Sequence, residues 1–183
     1  MKIKSFAILS LIIISFAGSS KVIAMESNNN TIIENITIEV KPSTNNSKNF
    51  FENPSDVLNG NYREKNIPTQ YWDLNSSQYN GNLIEVRSSL LYTNYYFSPN
   101  TNGELKIDYW ISPINTSGTK MIIKLYNIST RKFVETYTTS GAPTGACVTF
   151  RGLNKSQHYA FAFQAIRDPL AYNAVEGTIT VYH

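Results

Sequence analysis

Cys147 and His158 are the two side chains in this sequence best suited to act as nucleophile and base, and they stand eleven residues apart in segments that read as strands. Cysteine catalysis needs the thiolate within about 3 Å of an imidazole that a third group orients. Adjacency across a hairpin would supply that. The competing reading is a structural thiol in Ala146-Cys147-Val148 and a histidine on a solvent face, because cysteine often packs as a small buried hydrophobe. We assign no catalytic residue on this spacing. A single cysteine excludes an internal disulfide and any cysteine-clustered metal centre, and His158 and His183 are the only histidines. Asp73-x-Asn75-x-Ser77 has the oxygen spacing that opens a calcium loop. Gln78 and Ile84 stand where that loop needs glycine and glutamate, so the stretch reads as a turn. Asp73, Glu85, Glu104, Asp108, Glu135, Asp168 and Glu176 offer carboxylates for glycoside hydrolysis, but spacing alone brings no two of them to a productive separation. No metal and no cofactor is expected.

Aromatic residues are the better clue. Phe6 and Phe16 aside, all 12 Tyr, both Trp and the other Phe lie beyond residue 24. Tyr and Trp offer saccharides and peptides a flat apolar face with a polar edge. Trp72, Tyr92 and Trp110 are the candidate ligand-binding residues. The alternative is packing, since aromatic rings suit a pleated surface in any case.

These residues lie on a chain patterned for strands. From Ile67 onward, short runs rich in Tyr, Phe, Ile, Val and Thr alternate with Gly/Pro/Asn/Ser clusters, as at Pro99–Gly103, Asn115–Gly118, Gly141–Gly145 and Glu176-Gly177. The spacing predicts strands over Tyr71–Leu74, Leu83–Ser88, Leu90–Phe97, Glu104–Ile111, Lys120–Tyr126, Phe133–Thr139, Cys147–Arg151, His158–Ile166 and Thr178–Tyr182. Leu105, Ile107, Tyr109 and Ile111 oppose Lys106, Asp108 and Trp110, which puts Trp110 on a polar face. No window of ten or more residues shows a convincing helical period beyond residue 24. The expected fold is all-β, an antiparallel β-sandwich of about eight strands, with a barrel as the second choice.

Ahead of this domain stand two other segments. Lys2 and Lys4, the 14-residue apolar run Ser5–Gly18, and Val22-Ile23-Ala24 read as a signal peptide over residues 1–24, cleaved after Ala24. The run is shorter than the roughly 20 residues a membrane span needs. Residues 25–66 are rich in Asn and Ser and read as a largely disordered leader or tether. Within it, Thr31–Val40 has Ile32, Ile36, Ile38 and Val40 at mostly even spacing, which suggests an edge strand or, alternatively, a short helix. Residues 67–183 form the expected sandwich domain.

The formal charge of +3 belongs to residues 1–24. Lys2, Lys4 and Lys21 fall within residues 1–24, so 13 basic and 13 acidic residues lie beyond Ala24. No basic run exceeds Arg131-Lys132, which argues against nucleic acid as a partner.

Pro68-Thr69-Gln70-Tyr71-Trp72-Asp73-Leu74, Leu91-Tyr92-Thr93-Asn94-Tyr95-Tyr96-Phe97, Gly152-Leu153 and Gly177-Thr178-Ile179 follow one another in the order Pro-Thr-x-x-Trp-Asp-Leu, Leu-Tyr-Thr-Asn-Tyr, Gly-Leu and Gly-x-Ile. In this the chain resembles a group of small secreted β-sandwich proteins of low-GC Gram-positive bacteria. The resemblance implies an exported compact sandwich and brings no activity or catalytic residues with it. The expectation is a secreted, non-enzymatic binding module whose partner is a cell-wall or extracellular glycan or protein, without a membrane anchor after cleavage. A small hydrolase or a self-associating matrix protein are the alternatives.

Overall fold

The computed structural model describes residues 35–43, 66–166 and 173–183, and the expected signal peptide and most of the leader lie outside them. Strand-forming residues dominate this sequence, and the described residues contain eleven strands and no helix. In chain order these are β1 (Thr37–Pro42), β2 (Gln70–Tyr71), β3 (Tyr79–Val86), β4 (Leu91–Tyr92), β5 (Tyr95–Tyr96) and β6 (Leu105–Pro113). They continue as β7 (Met121–Asn127), β8 (Lys132–Thr138), β9 (Thr144–Arg151), β10 (Tyr159–Ala165) and β11 (Val175–Tyr182). An antiparallel five-stranded sheet has the order β1-β9-β6-β11-β3, and an antiparallel four-stranded sheet the order β4-β10-β7-β8. A short parallel ribbon joins β2 to β5.

The alternating residues of each sheet meet in one core. Leu105, Ile107, Tyr109 and Ile111 of β6 lie in the same buried cluster as Met121, Ile123 and Leu125 of β7 and Tyr159, Phe161 and Phe163 of β10. Phe150 of β9 reaches Phe161 across the two sheets, with ring centroids 5.7 Å apart. Burial of each such side chain stabilises the fold by about 1.5–3 kcal/mol. This is the sandwich-like layering that the alternation anticipates.

The chain departs from its expected elements in four places. The edge strand suggested over Thr31–Val40 is present but shifted, β1 running Thr37–Pro42, so the sheet extends ahead of the expected 67–183 domain. Ile36 is buried, Ile38 packs on the core, and Glu39 forms an ion pair with Arg151 at 2.6 Å. Gly152 lets this strand dock: its φ is +80°, and a Cβ there would stand 2.3 Å from the Asn35 carbonyl oxygen.

Leu90–Phe97 is two short strands rather than one. Thr93 takes over the edge of β10, its N–H donating to the Phe161 carbonyl at 2.8 Å and its hydroxyl accepting from the Phe161 N–H at 3.2 Å. Tyr95 and Tyr96 are thereby released to pair with β2. Likewise only Gln70 and Tyr71 of Tyr71–Leu74 and its neighbour are strand, because Asp73 opens a turn.

The polar faces are also less solvated than alternation suggests. Ala160 and Ala162, on the outer side of β10, are fully buried, Ala162 in a cluster with Tyr92 and Tyr126, and Asp108 of β6 is only 4% exposed.

Candidate functional site

Strand pairing sends Trp72, Tyr92 and Trp110 to three separate places. Trp72 turns toward the core margin, edge-on to Tyr95 and Tyr79 at 5.1 and 5.6 Å, and its indole N–H donates to the Ser77 carbonyl at 3.0 Å. Tyr92 is buried on the outer side of the four-stranded sheet, where it clusters with Tyr126 and Ala162. Burial raises its pKa. Trp110 lies half-buried on the outer face of the five-stranded sheet and makes no ring contact with a described aromatic side chain.

Register explains the setting of Trp110. Gly145 of β9 pairs with it on one side and Thr178 of β11 on the other, and Thr178 pairs in turn with Asn82 of β3. Glycine at 145 leaves room for the indole, since a Cβ there would stand 2.5 Å from Trp110 Cε3. Beside the ring, the Thr178 hydroxyl oxygen is buried without a hydrogen-bond partner. Such a group costs roughly 1–3 kcal/mol when left unsatisfied. A flat ring, a hydroxyl and an amide side chain stand in one row, and these are the types of group that hold a sugar ring by one face and its hydroxyls.

The adjoining row runs Lys41, Cys147, Asp108, Thr180 and Asn80 across all five strands. Thr180 Oγ1 donates to Asn80 Oδ1 at 2.9 Å, and Cys147 Sγ lies 3.1 Å from Tyr182 Oη. Burial raises the pKa of Asp108, partly offset by hydrogen bonds from the Ser43 hydroxyl and the Tyr109 N–H. Burial likewise raises Tyr182, with the Cys147 contact adding to it.

The nucleophile–base pair that spacing allows is not formed. Cys147 has Tyr182 as its partner, whereas His158 Nδ1 lies 3.0 Å from Ser98 Oγ. His183 Nε2 meets the carbonyl oxygen of the same Ser98 at 3.0 Å. Tyr71 and Tyr96 flank His158 with ring centroids 5.8 and 5.1 Å away, an aromatic–histidine cluster that strand patterning did not reveal because the β2–β5 ribbon creates it.

The carboxylates have local roles. Asp73 takes the Ser76 hydroxyl at 2.8 Å and the Asn75 N–H at 3.0 Å, and these bonds lower its pKa. Glu85 pairs with Arg87 and Glu104 with Arg151. Asp168 lies outside the described residues. A cavity of about 160 Å3 between β3 and β4 is lined by Ile84, Glu85, Arg87 and Leu90, and none of the three candidate aromatics borders it.

Sequence reasoning singles out Trp110 but not its neighbours in the row. Nothing in the spacing of Asn82, Gly145 and Thr178 announces that they share a row, because register is a tertiary property. Compared with known proteins, the chain matches no family model, no curated protein and no solved structure.

Proposed function

We propose that this protein is exported, with cleavage after Ala24, and acts as a non-enzymatic module that binds an extracellular or cell-wall saccharide on the Trp110 face. Export is supported by the basic start, the apolar run and the small residues before Met25, together with the resemblance to secreted Gram-positive sandwich proteins. The observation that carries the binding assignment is the Thr178 hydroxyl, without a hydrogen-bond partner among the described residues, beside a tryptophan that no described aromatic ring contacts. The saccharide ring covers the indole, and its hydroxyls bond the Asn82 amide and, once that side chain rotates outward, the Thr178 hydroxyl. Orientation comes from those two polar groups and contact area from Trp110.

A glycan array on residues 25–183, followed by calorimetry on the best saccharide, tests this reading. The expected result is binding that Trp110→Ala abolishes and Thr178→Val weakens about tenfold, the change that 1.4 kcal/mol of binding energy produces. Absence of any saccharide ligand, or equal binding by Trp110→Ala, contradicts it. N-terminal sequencing of protein from the culture medium is expected to start at Met25.

A further inference from the structure

We propose that β3 pairs with β3 of a second copy of this chain, joining two five-stranded sheets edge to edge. Among the described residues the two sheets end in four edge strands, β1 and β3 in one and β4 and β8 in the other. An edge offers its outward N–H and C=O groups to another chain, and charged residues, proline, bulges or shortness guard against that. β1 carries Glu39 and Lys41 and ends in Pro42. β8 carries Lys132 and Glu135, and its register against β7 shifts between Leu125 and Tyr126. β4 is two residues long. Only β3 has a longer uncharged run without proline, Asn80–Ile84, and its register against β11 is regular as far as Leu83. No described strand lies on its other side.

Apolar surface gathers at the same edge. Ile84 is 41% exposed, and the cavity between β3 and β4 has Ile84, Val86, Leu90 and Leu91 in its walls. Glu85 and Arg87 also border it, and they pair with each other, so the rim carries no net charge.

Geometry and charge suit this edge to a copy of itself. Pairing of a strand with its own mate about a two-fold axis is antiparallel, the sense in which β3 already pairs with β11. Residues directly opposite in such a pair point to the same face. The inner faces of two copies therefore stay together only when odd-numbered residues oppose odd-numbered ones, since Tyr79 and Leu83 point inward. Centring the axis on Asn82 meets that condition. Asn82 then faces Asn82 of the second copy, Gly81 faces Leu83, and Asn80 faces Ile84. No charge is set against its like in this run, and the 13 basic and 13 acidic residues beyond Ala24 leave no net charge to oppose association.

The pairing sets the Trp110-Thr178-Asn82 rows of the two copies end to end, with the tryptophans five strand spacings, about 24 Å, apart. Two linked sites favour a polymeric saccharide over a short one. That gain rests on the saccharide reading, whereas the dimer does not.

Sedimentation of residues 25–183 without saccharide tests the dimer alone. The junction is short, so a weak dimer is expected, with monomer at about 5 µM and dimer prevailing at about 500 µM. Asn82→Lys and Asn82→Asp each set a charge opposite itself and are each expected to stay monomeric, while an equimolar mixture of the two dimerises. Val40→Lys, on the β1 edge, is expected to dimerise like the parent chain. Thermal melts confirm that each variant is folded. Hydrogen exchange at Asn80–Ile84 is expected to slow as concentration rises. A parent chain monomeric at every concentration, dimers of either folded Asn82 variant alone, no pairing in the mixture, or loss of the dimer in Val40→Lys overturns the proposal.

Discussion

The outer faces of the two sheets both carry aromatic rings over small residues, yet they use them differently. On the four-stranded sheet, Tyr92 and Tyr126 meet edge-on at 5.8 Å and Tyr126 meets Phe133 at 5.1 Å, above the buried Ala162. These rings satisfy one another, so they act as a second small core laid on the outside of the sandwich. On the five-stranded sheet, Trp110 lies against Gly145, and among the described residues it has no such ring partner and the hydroxyl next to it no hydrogen-bond partner. An aromatic residue on a strand face is therefore not in itself a binding signal. What lies at its edge decides.

The sharpest way to break this contrast is truncation. Tyr126→Ala or Tyr92→Ala is expected to cost roughly 3 kcal/mol of stability, because a buried ring leaves a cavity that its neighbours only partly refill. Denaturant unfolding checks this. Gly145→Val, which drives a side chain against the indole and the Tyr109 carbonyl, is expected to cost about 1–3 kcal/mol by the same method and to displace Trp110. Trp110→Ala is expected to cost about 1 kcal/mol or less, since the ring supports little of the fold. Were Trp110→Ala to destabilise as much as Tyr126→Ala, the two faces would be alike and the contrast would fall.

A smaller effect concerns pH. Asp108 has a folded pKa raised above its unfolded value, so its ionisation opposes folding, and stability falls as pH rises through its titration. Glu39 behaves oppositely: Arg151, then Lys41, lower its pKa, so its contribution is present above the ordinary carboxylate range and is lost as pH falls through the lowered value. Asp108→Asn should remove the first dependence and leave the second, as read from melting temperature across acid and neutral pH.

Much of the fold was legible in the residues. The alternation of Leu105, Ile107, Tyr109 and Ile111 gave both the strand and its buried side, and the Gly- and Asn-rich clusters marked its turns. Local pattern failed where side chains replace backbone partners or where a remote strand supplies the environment. Thr93 breaks an otherwise continuous β run by using its hydroxyl on β10. Asp108 reads as a solvated strand residue, yet Ser43, from a segment 65 positions away, bonds it. The same limit applies to the site. Trp110 stands out by type and by face, while Thr178 and Asn82 become its neighbours only through the pairing of β3, β11 and β6.

The chain has two tryptophans, so a protein NMR spectrum contains two indole N–H signals, one from the Trp110 face and one from Trp72 at the core margin. Titrating the saccharide selected by the array into the protein is the most direct test. The Trp110 signal is predicted to shift with saturation while the Trp72 signal, held by the Ser77 carbonyl, stays in place. A saccharide that binds without moving Trp110 would contradict the account.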